Sequence, residues 1–141
     1  MALPKHFSLE FVTPERTICH DDVDECVLPG EEGDFGVLPG HAPLLALLRI
    51  GPMWFRKGAD KQYAFLAGGF AEVTGERVSV LAEVAERAED IDQARAEAAK
   101  NRAEQTMAKP ATERDFELSR VALMRAVSRL EVSKHARTRT R

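Results

Sequence analysis

The chain has 141 residues and a formal net charge of −3, with 44% hydrophobic and 30% charged side chains. That is enough apolar material for one folded core, and it excludes wholesale disorder. The mild acidity excludes the basic excess of a dedicated nucleic-acid binder, and no apolar run approaches the roughly 18–20 residues a membrane-crossing helix needs.

Residues 1–8 hold Pro4, Lys5 and His6 with no apolar run behind them. This is not a signal peptide, which predicts a protein that stays in the cytoplasm. The next stretch alternates, with Phe7, Leu9 and Phe11 on one face, as a half-buried strand does. Cys19 and Cys26 follow, seven positions apart, at no zinc or redox spacing. Free thiols, at least half-buried, are the expectation, since a reducing compartment disfavours a disulfide.

Residues 22–29 alternate again, charges outward. Beyond them Glu31, Glu32 and Asp34 crowd a glycine-rich turn. The turn has too few alternating carboxylates for a calcium loop. It reads as an exposed acidic turn and a candidate docking edge. The Gly30–Gly40 stretch has no Lys-Ser/Thr after it and leads into a strand, so it is not a phosphate-binding P-loop. His41, within Pro39-Gly40-His41-Ala42-Pro43, reads as a turn histidine bonded to backbone. With His6, His20 and His135 scattered elsewhere, no catalytic triad or metal-ligand spacing appears.

Residues 43–50, 53–57 and 62–67 are short apolar runs of strand length, and residues 77–81 alternate. Pro-Gly, Gly-Pro and Gly-Gly pairs punctuate them. Regular short strands with such turns predict a sandwich or barrel. No Gly or Pro falls between Glu76 and Lys109, so the regime changes near residue 86. We take residues 1–86 as the β domain and 87–141 as a helical part with a basic tail.

Asp90 or Asp92 caps a predicted helix of strong helix formers running to about Thr106. Lys109-Pro110 breaks it. Thr112 and Asp115 then give an N-terminal capping signature. The second helix carries a stripe of Phe116, Ser119, Ala122, Leu123, Ala126, Val127 and Leu130. The two form a helical hairpin.

The first helix offers mainly Ile91 and alanines to its seam. Burying an alanine contributes about 0.8 kcal/mol against roughly 1.5–3 for a leucine. The hairpin is therefore expected to be weakly held and able to leave its docking site.

Charge is unevenly spread. Up to Glu89 there are eight basic and fifteen acidic side chains; from Asp90 onward there are twelve and eight. Counting 100° per residue from Ile91 places Arg95 and Arg102 two turns apart on the apolar row, with Ala94, Ala98 and Gln105. Arg125 and Arg129 lie one turn apart, roughly opposite the second helix's stripe. Two readings stand. The arginines form a solvated basic face with partners such as Asp92 and Glu86, or a folded hairpin gathers them around an anion such as a polyphosphate. The basic stretch 134–141 reads as a solvated terminus, or more sharply as an anionic contact.

Three segments carry a family resemblance: Gly33-Asp34-Phe35-Gly36-Val37-Leu38-Pro39-Gly40-His41-Ala42-Pro43-Leu44-Leu45, Leu66-Ala67-Gly68-Gly69-Phe70-Ala71-Glu72-Val73, and Ile91-Asp92-Gln93-Ala94-Arg95-Ala96. In this order they resemble the bacterial-type epsilon subunit of F-type ATP synthase. That resemblance implies a β-sandwich of about ten strands and a C-terminal helical hairpin. It implies a non-catalytic rotor (central-stalk) subunit that links gamma to the c-subunit ring and couples proton transport to ATP synthesis. The acidic turn Glu31-Glu32-Gly33-Asp34, with His41, would meet partners. The hairpin would extend towards the catalytic beta and alpha subunits and hold back ATP hydrolysis. The subunit would be peripheral, at the cytoplasmic face of the bacterial inner membrane, touching it only through the complex.

No catalytic residue, metal or required cofactor is implied. Regulatory ATP is, since some bacterial members bind it in the folded hairpin. Matched position by position, the nucleotide-binding residues would be Glu86, Asp92, Arg95, Arg102, Arg125 and Arg129. The rival functions are a stand-alone ATP-sensing module, which would need no rotor partner, and an enzyme built on His41 and the acidic turn.

Overall fold

The computed structural model describes residues 4–137. Eight strands come first: β1 (Phe7–Val12), β2 (Thr17–Val23), β3 (Glu25–Gly30), β4 (Gly33–Val37), β5 (Leu44–Leu48), β6 (Gly51–Lys57), β7 (Asp60–Val73) and β8 (Arg77–Arg87). A single 3-10 turn (Ala88–Asp90) leads to α1 (Gln93–Ala108) and α2 (Glu113–Ser133). Hydrogen bonds join the strands in the order β2-β1-β8-β7-β5-β3-β4, with β6 bonded to both β3 and β7. β1 and β8 pair in parallel, and the other pairs are antiparallel. The alternation in β1 is realised: Phe7, Leu9 and Phe11 are buried, and Leu9 and Phe11 lie beside Val78 and Val80 of β8 in the same core.

The resemblance implied about ten strands, and the described residues form eight. The difference lies in β7 and β8, which run 14 and 11 residues without a break. The first half of β7 pairs with β6 through Leu66, and its second half pairs with β5 from Gly69. One strand thus does the work of two by changing partner at Gly68-Gly69. Both glycines have positive φ (74° and 122°), and a Cβ at Gly69 would sit 2.0 Å from the Leu81 carbonyl oxygen. Only glycine lets β7 bend there while staying bonded to β8. Because nothing interrupts residues 77–87, β8 continues six residues beyond the alternating run read from the sequence.

Both cysteines are free and buried in the sandwich core. Burial pushes the Cys26 thiol up to about 12 and raises Cys19 as well, so neither has the thiolate character of a reactive cysteine.

The caps fall where expected. Asp92 is the N-cap of α1, accepting from the Arg95 backbone N–H at 3.0 Å, and Thr112 caps α2 through the Asp115 N–H at 3.0 Å. The phase of α1 differs from the count. Ala94, Arg95, Ala98, Arg102 and Gln105 are exposed, and the seam is built by Ala96, Ala99, Ala103 and Met107. Ile91 is the cause: it precedes the cap with an extended backbone (φ −76°, ψ 126°). A helical count cannot start from a residue outside the helix.

The stripe of α2 is also corrected. Ala122 and Val127 are exposed, whereas Ala126, Ser128, Val132 and Ser133 are buried. The helix lies between α1 and the sandwich, so its buried surface spans two faces and includes polar positions that a single-partner stripe leaves out.

Candidate functional site

The hairpin rests folded on the sandwich. Its base docks through a small apolar cluster separate from the main core: Phe65, Ala67 and Ala88 with Val132, flanked by Ile50, Tyr63, Val84 and Ile91. Polar contacts surround it. Arg129 Nε donates to Glu86 Oε1 at 2.6 Å while its guanidinium lies 4.5 Å from the centre of the Phe65 ring. His135 stacks on Tyr63 with ring centres 3.8 Å apart. Arg137 donates to Asp60 at 2.6 Å and to Glu89 at 3.3 Å. The bond to Asp60, chiefly, raises the pKa of its guanidinium. Within the described part of the basic stretch, Arg137 makes a specific anionic contact inside the chain; Thr138–Arg141 lie outside the described residues.

Above this base, α1 and the sandwich leave a cleft of about 590 Å³. Five of the six candidate nucleotide residues line it: Glu86 from β8, Asp92 and Arg95 at the start of α1, Arg102 two turns on, and Arg129 from α2. They are 43 positions apart at the extremes, and only the folded hairpin brings them together. Arg125 is not among the lining residues; it is half-buried, and its Nε is enclosed without a hydrogen-bond partner among the described residues. The geometry leaves both readings of the arginines standing. Arg129 is neutralised by Glu86, but the side chains of Arg95 and Arg102 make no ion pair or hydrogen bond among the described residues. Asp92 is engaged with backbone N–H rather than with an arginine side chain.

The candidate partner residues divide. Glu31, Glu32 and Asp34 stay together at the β3–β4 hairpin, where Asp34 bonds Arg49 and the Glu31 N–H donates to the Leu47 carbonyl. They edge a groove whose other wall is Leu44–Leu47. His41 lies past the opposite end of β4, its Nδ1 2.6 Å from the Ala42 carbonyl oxygen, as a turn histidine would. It is not part of the acidic edge.

A row of exposed apolar side chains crosses three strands and has no counterpart among the residues singled out from the sequence. Leu47 of β5 lies beside Phe70 of β7, which lies beside Leu81 of β8; all three are exposed, as is Leu45 at 69%. The signal was available in the run 44–48, which has no polar alternation although its strand has only one buried face. No helix among the described residues is long and apolar enough to cross a membrane. No group of three or more metal-ligating side chains occurs among them.

The comparisons with known proteins bear on the whole of this architecture. Residues 6–88 match the family model for the β-sandwich domain of the ATP synthase delta/epsilon chain, and residues 89–134 match the model for its long α-helix domain. The chain belongs to the ATP synthase epsilon family. It is 45% identical over 134 residues to the ATP synthase epsilon chain of Nitratidesulfovibrio vulgaris (strain DP4), covering 95% of this chain and 100% of that one. With the epsilon chain of Solibacter usitatus the identity is 45% over 128 residues, covering 91% and 96%. The fold is shared with a chain of the Euglena gracilis mitochondrial ATP synthase, solved as OSCP/F1/c-ring: TM-score 0.83, 24% identity, 96% of this chain and 85% of that one. Like those relatives, this epsilon chain is a subunit of ATP synthase.

Proposed function

We propose that this epsilon chain is a non-catalytic rotor subunit, in which the sandwich (residues 1–86) is a pedestal and the hairpin (87–141) a lever that restrains ATP hydrolysis. The observation that carries this reading is the mode of docking. The hairpin is held by a four-residue buried cluster and a ring of polar contacts rather than by the main core. Such an element opens at less cost than global unfolding. The exposed Leu45, Leu47, Phe70 and Leu81 give the pedestal an apolar face for gamma, and the acidic groove edge faces the c ring. Residues after Glu89 then reach the catalytic subunits only when the latch opens.

The cleft supplies the control. A nucleotide bound by Glu86, Asp92, Arg95, Arg102 and Arg129 engages the folded hairpin alone, because extension separates these residues. ATP shifts the population only through that difference in affinity. At a hundred times its dissociation constant it favours the folded state by about 2.7 kcal/mol.

The deciding experiment is ATP hydrolysis by the reassembled complex with the full chain or with a chain ending at Glu89. Faster hydrolysis with the short chain is expected. Equal rates would remove the lever and leave the pedestal role alone.

A further inference from the structure

The cleft has a wall that the candidate residues do not include. Besides the hairpin and β8, it is lined by Thr13, Glu15 and Arg16 from the turn between β1 and β2. This turn is held in shape: the Thr13 N–H donates to the Arg16 carbonyl at 2.9 Å, and Thr13 Oγ1 accepts from the N–H groups of Glu15 and Arg16 at 3.3 and 3.2 Å. The Arg16 backbone is therefore fixed, while its guanidinium makes no hydrogen bond or ion pair among the described residues. Of the twelve arginines among the described residues, Arg49, Arg56, Arg87, Arg120, Arg129 and Arg137 have side-chain bonds. Of the other six, Arg16, Arg95 and Arg102 line one cleft.

The acids of the same cleft are partly committed. Glu86 is taken by Arg129 and Asp92 by the α1 N-terminus. The Glu83 carboxylate lies over the side-chain-free Gly68 of the neighbouring strand, its oxygens 3.2 and 3.6 Å from where a Cβ would stand. Three guanidiniums without partners, one on the pedestal and two on the lever, thus face a common space. Forked donors of this kind fit phosphate oxygens.

We infer that Arg16 is a further phosphate-binding residue, so that a bound nucleoside triphosphate bridges the β1–β2 turn and α1 and staples the lever to the pedestal. The inference rests on the nucleotide reading above and adds to Glu86 a second contact from the sandwich, at the β1–β2 turn. Glu86 is already paired with Arg129, so Arg16 is the sandwich group with donors left for the phosphates, and a ligand that holds it stabilises the docking of the hairpin.

Calorimetric titration of the full chain with ATP tests this, using Arg16→Ala beside Arg77→Ala, another exposed sandwich arginine without a side-chain bond and outside the cleft. Arg16→Ala is expected to weaken ATP binding about tenfold, the loss of one charge-assisted hydrogen bond at a half-open site, and Arg77→Ala to bind as the natural chain does. Hydrogen exchange gives the second readout: saturating ATP should slow α1 amides in the natural chain and slow them less in Arg16→Ala. If the natural chain binds ATP and Arg16→Ala binds it equally well, the bridging role falls and the nucleotide site stands. If the natural chain gives no binding, the nucleotide reading falls and Arg16's role with it.

Discussion

The sandwich encloses Leu9, Phe11, Leu28, Met53 and Leu66 completely, whereas the seam between the helices encloses Ala96, Ala103 and Ala126. Each large core side chain contributes roughly 1.5–3 kcal/mol by leaving water, and each alanine about 0.8. The sandwich is also closed by pairing between residues far apart in sequence, such as β1 with β8. The hairpin is a local pair whose tie to the rest is Val132 and its polar surround. One region is built to persist and the other to move. The size of the buried side chains separates them.

Removing a core side chain should have the largest effect. Phe11→Ala is expected to cost about 3–5 kcal/mol, as other large-to-small core changes do. Denaturant unfolding should show sheet and helix signals lost together, because the hairpin has no docking surface without the sandwich. Survival of a docked hairpin with a melted sandwich would reverse the ranking of the two regions.

Val132→Asp attacks the other side. Val132 has no exposed surface, so the substitution buries a carboxylate, close to the negative end of a helix. About 3 kcal/mol of docking energy should be lost. Amides of α1 and α2 should exchange about a hundredfold faster, with those of β1 and β8 unchanged. Equal acceleration in β1 and β8 would mean one cooperative unit, and the proposed lever would have no independent motion.

A smaller change is expected from Glu86→Gln. The pair with Arg129 is about three-quarters buried on both sides, which places it between exposed and fully buried ion pairs. Glutamine still accepts the hydrogen bond but not the charge. The cost should be about 1 kcal/mol, read as a modestly faster exchange of α1 and α2 with β1 and β8 unchanged. In the nucleotide reading the same variant frees Arg129, so ATP affinity should also change.

Much of this was legible in the sequence for identifiable reasons. The alternation of Phe7, Leu9 and Phe11, and the caps at Asp92 and Thr112, depend on neighbours within a few residues. The cleft was legible only as a set of residue types, since the folded hairpin alone brings Glu86 to Arg129. The helix phases were misjudged because Ile91 precedes the helix and α2 serves two partners at once. Arg16 could not be found at all: nothing near it marks a site, and only the fold carries the β1–β2 turn to face α1.

Acid offers a gentler way to tell the regions apart. The carboxyl groups of Asp21 and Asp24, both in the sandwich, are held below the ordinary 3.8. For Asp24 the main cause is the Gly58 N–H, which donates at 2.7 Å, followed by His6 at 2.6 Å. For Asp21 it is the Lys57 ammonium. A lowered folded-state pKa means that the unfolded chain takes up the proton first as pH falls. The stabilisation is therefore present above about pH 4 and is lost as pH drops through the lower folded value. Both anchors tie the β2–β3 corner to the β6–β7 hairpin, so the loss should appear in the sandwich. In Asp24→Asn, asparagine keeps an acceptor for Gly58 but cannot titrate. The urea midpoint of the sandwich should then fall less steeply below pH 4 than in the natural chain. Parallel slopes would show that these carboxylates do not set the acid limit of the pedestal.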